Sequence, residues 1–289
     1  MLTAACVYRP ECVLGEGCVW NSGERSLYFT DIERGLIHRL EFDKTGAPVR
    51  DTVYPQQART GCFVFHREGG FVAAVTDRLV WNRPDGTQKI LLRQKYSGPL
   101  RYNDGKCDRY GNLWVGTMAI DQGWPGASGG GSLYCIRGGQ VLAEYPGYTI
   151  PNGLDWNGDG SVLYHIDTPR RTVDTYTVTN QVKLSNRRSV VAVPEEEGNP
   201  DGMCADENGN LWIALWGGGK VVCCDPATGG RLEEVLVPEP YVSCCCFGGV
   251  DGRDLFITTA KDENGAGGQL YRVRVGVRGG RRYLYGGNP

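Results

Sequence analysis

Apolar runs of five or six residues recur along the chain, each set between turns of Gly, Asp and Asn: LYFTDI, FVAAV, LWVGTM, VLYHID, LWIALW and LFITTA. They are rich in β-branched and aromatic side chains and too short for helices, so they read as buried strands. No stretch carries a sustained 3.6-residue apolar stripe, which predicts very little helix. Ahead of each run stands another short strand, opened by a polar residue: Glu16 (EGCVW), Thr60 (TGCFVF), Asp104 (DGKCD), Asn152 (NGLDW), Asp201 (DGMCA) and Ser243 (SCCCF). The next residue is Gly17, Gly61, Gly105, Gly153, Gly202 and finally Cys244, at intervals of 42 to 49 positions. A third strand follows each run (LIHRLEF, RLVWNR, GSLYCIR, TVDTYTV, KVVCCD, GQLYRVRV), then a more variable fourth such as PVRDTVY or VVAVP.

Four antiparallel strands repeated six times at this period predict an all-β, six-bladed β-propeller. One repeat cannot bury its faces without its neighbours, so residues 1–289 are expected to form a single propeller domain. The sixth copy lacks a fourth strand of its own. Residues 2–8 (LTAACVY) stand where the earlier repeats have theirs, so this N-terminal strand is expected to join the last blade and close the ring.

Composition narrows the function classes. The 43 glycines suit many tight turns. A formal net charge of −2 gives no electrostatic footprint for nucleic acid or an anionic membrane. No apolar run approaches the ~20 residues of a membrane span, and MLTAACVYRP does not look like a secretory signal. The twelve cysteines include the adjacent sets Cys223–Cys224 and Cys244–Cys245–Cys246, and no C-x-x-C pair. They are expected to be reduced thiols packed as small hydrophobes in a cytoplasmic protein.

In a propeller the first strand of each blade lines the axis, so the six polar openers converge on one channel. Four carry oxygen donors: Glu16, Asp104, Asn152 and Asp201. Carboxylates ~4 Å apart repel by about 4 kcal/mol at an effective dielectric near 20. Either the acids protonate or a cation neutralises them. An all-oxygen set suits Ca²⁺, Mg²⁺ or Mn²⁺ better than a thiolate zinc site, although Zn²⁺ can be accommodated. Taken singly, the D-G and N-G pairs at Asp104, Asn152 and Asp201 are common turn residues. Thr60 and Ser243 read as neutral channel wall. In RYNDGK, Arg101 and Asn103 either bind hydroxyls or a carbonyl of a polar substrate, or serve as a surface ion pair and a turn residue.

LGEGCVW, RYNDGKCD with GNLWVGTM, IPNGLDW, NPDGMCADENGNLWIALWGGGKV and FGGVDGRDLFITTA, in this order, resemble the SMP-30/gluconolactonase (regucalcin-like) family over nearly the whole chain. The resemblance implies a six-bladed propeller with one divalent metal in the channel, calcium first, with zinc, magnesium or manganese as alternatives. It implies metal ligands Glu16, Asn152 and Asp201, substrate contacts Arg101 and Asn103, and Asp201 as the catalytic acid/base. Asp104 would support the ligands from behind or be a weak ligand itself. Asp121 is the nearest match to an acidic substrate contact of the family, and Cys18 stands where the family usually has Pro. The Gly-rich stretch 123–131 would form a mobile lid over the channel mouth, with Trp124 as a ring-packing residue, and Trp216 would border the pocket. The implied activity is hydrolysis of a sugar lactone to its aldonic acid, by a monomer or small homo-oligomer. The same site could instead cleave an aryl ester or phosphotriester. Non-catalytic alternatives are a calcium-binding regulator and a protein-interaction platform.

Overall fold

The computed structural model describes residues 2–286. It is a six-bladed β-propeller, and its only helical turns are Thr168–Arg170 and Glu195–Glu197 among the described residues. Blade 1 runs outward through Gly15–Asn21, Ser26–Asp31, Leu36–Phe42 and Pro48–Pro55. Blade 2 comprises Thr60–Phe65, Phe71–Val75, Arg78–Asn82 and Gln88–Arg93. Blade 3 comprises Leu100–Cys107, Leu113–Ala119, Gly131–Arg137 and Gln140–Tyr148, and blade 4 Pro151–Trp156, Val162–Asp167, Thr172–Thr179 and Lys183–Ala192. Blade 5 comprises Asn199–Ala205, Leu211–Trp216, Lys220–Cys224 and Arg231–Leu236, and blade 6 begins with Val242–Gly248, Asp254–Thr259 and Leu270–Arg274.

The expected N-terminal strand closes the ring, but not as one piece. Ala5–Tyr8 pairs antiparallel with Leu270–Arg274 as the fourth strand of blade 6. Leu2–Thr3 instead pairs parallel with Arg231–Leu236 and adds a fifth strand to blade 5. The chain switches blades at Ala4, whose N–H donates to Leu236 O (2.8 Å) and whose methyl is buried. The seam between the last two blades is therefore bridged by one continuous segment, Leu2 to Tyr8.

The core lies between blades rather than on the axis. Trp114, Leu133 and Cys135 of blade 3 pack on Leu154, Trp156 and Leu163 of blade 4. Leu27, Phe29 and Leu40 of blade 1 pack near Cys244, Phe256 and Leu270 of blade 6, with the Trp20 and Phe256 rings stacked at 5.4 Å. The GNLW sequences belong to this scaffold. Asp108 Oδ2 accepts from Asn112 Nδ2 (2.7 Å) and Trp114 Nε1 (2.9 Å), and Asp206 repeats the arrangement with Asn210 and Trp212. These acids tie turns and hold core indoles.

On the axis the innermost strands crowd one another, which explains Gly61, Gly105, Gly153 and Gly202; Gly17 instead follows from its φ of 55°. A β-carbon at Gly61 would lie 2.5 Å from the carbonyl oxygens of Tyr102 and Asn103; at Gly153 it would lie 2.6 Å from Asp201 O. At Gly202 it would meet Cys244 at 2.7 Å, so the space denied to a side chain there is filled by the one non-glycine member of the ring. Backbone cannot yield as a flexible side chain can. Gly153→Ala is expected to cost about 2–3 kcal/mol in urea unfolding. The control Gly158→Ala, with nothing within 4 Å of the added carbon, should cost under roughly 1 kcal/mol. Equal midpoints for the two variants would count against crowding at the axis.

The segment after the last strand has a role that the repeat does not announce. Gly279 bridges Asp206 of blade 5, and Tyr285 bridges His66 of blade 2. Tyr285 is buried, and its hydroxyl accepts from Gly139 N (3.0 Å). The tail thus straps the channel end where the first-to-second-strand hairpins lie. All twelve cysteines are free thiols, ten of them buried. No helix among the described residues is long and apolar enough to cross a membrane.

Candidate functional site

Five of the residues singled out in the sequence are buried together where the innermost strands enter the channel: Glu16, Arg101, Asn103, Asn152 and Asp201. Their strands place them there by register, because each innermost strand breaks its ladder at the crowded glycine. That break turns the preceding side chain toward the axis. A hydrogen-bonded chain spans blades 3, 4 and 5. Arg101 Nη1 donates to Asn103 Oδ1 (2.7 Å) and Tyr102 O (2.9 Å). Asn103 Nδ2 donates to Pro151 O and Asn152 Oδ1, both at 2.9 Å. Asn152 Nδ2 donates to Thr168 Oγ1 (2.8 Å), which donates to Pro200 O (2.9 Å). This fixes the Asn152 amide with its oxygen on a known side.

The acids are far less satisfied. Glu16 Oε2 accepts from its neighbour Gly17 N (2.7 Å). Asp201 has no hydrogen-bond donor among the described residues. Burial, then repulsion from Asp104, pushes the Glu16 carboxyl up to about 8. Burial, then the charges of Glu16 and Asp104, drives Asp201 well above the usual carboxylate range. The Arg101 guanidinium is pushed down to about 10 by burial; Glu33, Glu16 and Asp201 oppose that shift and Arg59 adds to it. Two buried carboxyls with open lone pairs beside a fixed amide oxygen form a hard-oxygen donor set. That set fits a divalent cation. Among the described residues no three His, Cys, Asp or Glu side chains are grouped to hold one ion, and the third oxygen here comes from the amide of Asn152.

Asp104 stands lower. It lines the channel cavity beyond the ring, and its Oδ1 accepts from Gly105 N (2.7 Å). Burial raises its pKa, while Lys106 opposes the shift. Thr60 and Ser243 form channel wall: Thr60 Oγ1 donates to Ala58 O (3.1 Å), and the Ser243 hydroxyl bonds Gly15 O and Thr258 Oγ1.

The rim differs from the sequence expectation. Asp121 lies two residues beyond Ala119, the partner of Leu100, and so on the site's end of blade 3. It is exposed, and its Oδ1 accepts from Gly123 N (2.8 Å) rather than reaching the buried group. The 123–131 stretch, expected as a mobile lid, is folded on itself. Ala127 N donates to Trp124 O and Gly130 N to Ala127 O. The Trp124 ring packs against Gly98 and Gly126, at distances that leave no room for a side chain at either. Trp216, half-buried at the end of its strand, rests on Tyr241 with ring centroids 4.8 Å apart.

Sequence reasoning missed Thr168, which couples Asn152 to blade 5, and the Arg59–Glu33 ion pair (2.7 Å), whose charges act on Arg101. Arg59 directly precedes the blade 2 opener, and Glu33 lies just past a second strand. Both positions put them at the site's end, a signal available once the repeat is aligned.

The sequence matches the family described as "SMP-30/Gluconolactonase/LRE-like region" over residues 14–261. The chain belongs to that family. It is 35% identical to regucalcin of Bos taurus over 297 residues, covering 98% of each chain. It is 32% identical over 258 residues to YvrE of Bacillus subtilis (strain 168), whose name assigns it provisionally to the sugar lactone lactonases; the match covers 87% of this chain and 85% of that one. The fold is shared with a calcium-binding protein, regucalcin, from Agrobacterium tumefaciens, with a TM-score of 0.88, 23% identity and 98% of each chain covered. Family membership supports sugar-lactone hydrolysis in general, and with it a small-molecule sugar-lactone substrate.

Proposed function

We propose that the protein hydrolyses an aldonolactone such as a gluconolactone to the aldonic acid at the axial cluster, with one divalent cation, calcium first, held by Glu16, Asn152 and Asp201. Zinc, magnesium and manganese are the alternatives for the same oxygens. The observation that carries this reading is Asp201: a buried carboxyl without a donor, beside Glu16 and next to a hydrogen-bonded amide. When bound, the cation would polarise the lactone carbonyl and stabilise the charge that develops on its oxygen.

The chain's own groups supply the rest. Arg101 uses Nη1 within the protein and keeps its other guanidinium N–H groups for sugar hydroxyls. Asn103 commits both amide hydrogens to Pro151 O and Asn152 Oδ1, so it acts mainly by holding Arg101 and Asn152 in place. Fixing the ester this way lowers the entropic part of the barrier. Asp201 takes a proton from water as the water oxygen bonds the carbonyl carbon, then returns it to the ring oxygen as the ring C–O bond breaks. Free thiols in such number fit a reducing cytoplasm.

The raised Glu16 pKa gives a signed prediction. In the cation-free protein Glu16 keeps its proton to a higher pH than in the unfolded chain. Stability therefore falls as pH rises from about 4.5 through about 8. Cation binding must expel that proton, so affinity should rise between pH 6 and pH 8, by about tenfold per unit for one proton released. Calorimetry in buffers of different ionisation enthalpy measures both quantities. Equal affinity at both pH values with no proton release would remove Glu16 from the ligand set.

The function itself is tested by proton release from gluconic, galactonic, arabinonic and xylonic lactones, an aryl ester and a phosphotriester, with each cation restored after chelation. The reading expects kcat/KM on at least one sugar lactone to exceed that on both other esters by roughly tenfold or more. Tight cation binding with no turnover of any lactone would favour a calcium-binding regulator instead.

A further inference from the structure

Beyond the ring of glycines the channel widens into a cavity of about 590 Å³ whose walls include seven thiols: Cys18, Cys62, Cys107, Cys204, Cys244, Cys245 and Cys246. The run Cys244–Cys245–Cys246 lies on the innermost strand of blade 6, where neighbouring side chains point to opposite faces. Cys244 and Cys246 turn toward blade 1, where they pack in one cluster with Cys18. Cys245 turns toward blade 5, where its Sγ lies 3.7 Å from Cys204 Sγ. Only a small closure separates that pair from a disulfide of about 2.05 Å.

We propose that Cys204 and Cys245 are a modification site, a dithiol that a hydroperoxide entering this cavity converts reversibly to a disulfide across the seam of blades 5 and 6. Which thiol attacks follows from its neighbours. The Lys106 ammonium, held by Asp155 Oδ2 (2.8 Å) and Met203 O (3.0 Å), stands on the Cys204 side of the pair, where it faces the charge that develops as that sulfur attacks. Cys204 sulfur bonds one peroxide oxygen as the O–O bond breaks and its proton passes to the departing oxygen, giving a sulfenic acid and water, or an alcohol from an organic hydroperoxide. Cys245 sulfur then displaces the sulfenic hydroxyl, and its proton leaves with that hydroxyl as water. Two thiols are oxidised and one peroxide is reduced. A dithiol reductant reverses the bond by thiol–disulfide exchange.

The link would have a structural effect. The N-terminal segment bridges the outer edges of these two blades, with Leu2–Thr3 on blade 5 and Ala5–Tyr8 on blade 6. A Cys204–Cys245 bond would join their innermost strands as well, fixing the seam from both sides.

The full-length protein is treated with hydrogen peroxide, its remaining thiols are alkylated, and it is digested without reduction. Fragmentation mass spectrometry should find the Cys204 peptide joined through Cys245, lighter by two hydrogens. The melting midpoint should rise by roughly 5 °C, return on reduction, and not rise in Cys204→Ser. Cys244→Ser and Cys246→Ser should keep the link, whereas Cys245→Ser should lose it. Recovery of Cys204 fully alkylated, or joined through Cys18, Cys244 or Cys246, overturns the assignment. The mass measurement on the unmutated chain stands even if a variant fails to fold.

Discussion

Asp201→Asn is expected to lower kcat/KM on a sugar lactone by roughly 10³-fold or more while making the cation-free protein more stable. The two effects share one cause. Asp201 is a buried carboxyl with no donor among the described residues, and Glu16 and Asp104 add like charge. Its folded pKa lies above its unfolded value, so ionising it costs stability as pH rises above the usual carboxylate range. The amide is close in shape and carries no charge, so the melting midpoint should rise by roughly 2–4 °C at pH 8 and by less at pH 5. The amide also accepts no proton from water and is a poorer cation ligand, so turnover should collapse. Lactone kinetics and thermal melts at the two pH values check both halves. A variant equally inactive but destabilised would mean that Asp201 supports the fold rather than the chemistry.

Deleting residues 1–8 should unfold the protein at physiological temperature or come close to it. The deletion removes the fourth strand of blade 6 and the edge strand of blade 5 together. It uncovers part of the core cluster that holds Val235, Tyr271 and Val273, of which Ala4 is a member and against which Leu2 and Cys6 pack. Lost hydrogen bonds and re-exposed apolar surface amount to a penalty on the order of 5 kcal/mol. Native stability is typically about 5–15 kcal/mol, so little would remain. Differential scanning calorimetry gives the readout. A midpoint within about 2 °C of the full-length protein would show that the ring closes without the N-terminal segment.

The sequence made the blades legible because strand alternation and turn residues recur at a fixed period, and most anchors legible because crowding at the axis favours glycine beside them. Gly61, Gly153 and Gly202 report the approach of neighbouring backbones, and Cys244 marks the one place where a side chain fits. The split at Ala4 was not legible, since a two-residue parallel pairing leaves no pattern of its own. Nor was the strap from Gly279 to Tyr285, whose Gly- and Arg-rich sequence follows no strand period. Within the site, residue types and register brought Glu16, Arg101, Asn103, Asn152 and Asp201 together. Hydrogen-bond saturation could not be read from the sequence: Asn103 Nδ2 donates to both Pro151 O and Asn152 Oδ1. At 123–131 the sequence pointed to Trp124 as a ring-packing residue, and Gly98 and Gly126 make room for its ring.

The central claim is that a cation held by the axial oxygens is required for lactone hydrolysis. The most direct measurement is the proton-release rate on one gluconolactone before chelation, after exhaustive chelation, and after calcium is returned. The account predicts a fall of roughly a hundredfold or more on chelation and recovery on reloading, with the fold intact throughout. An undiminished rate in the chelated protein would contradict it.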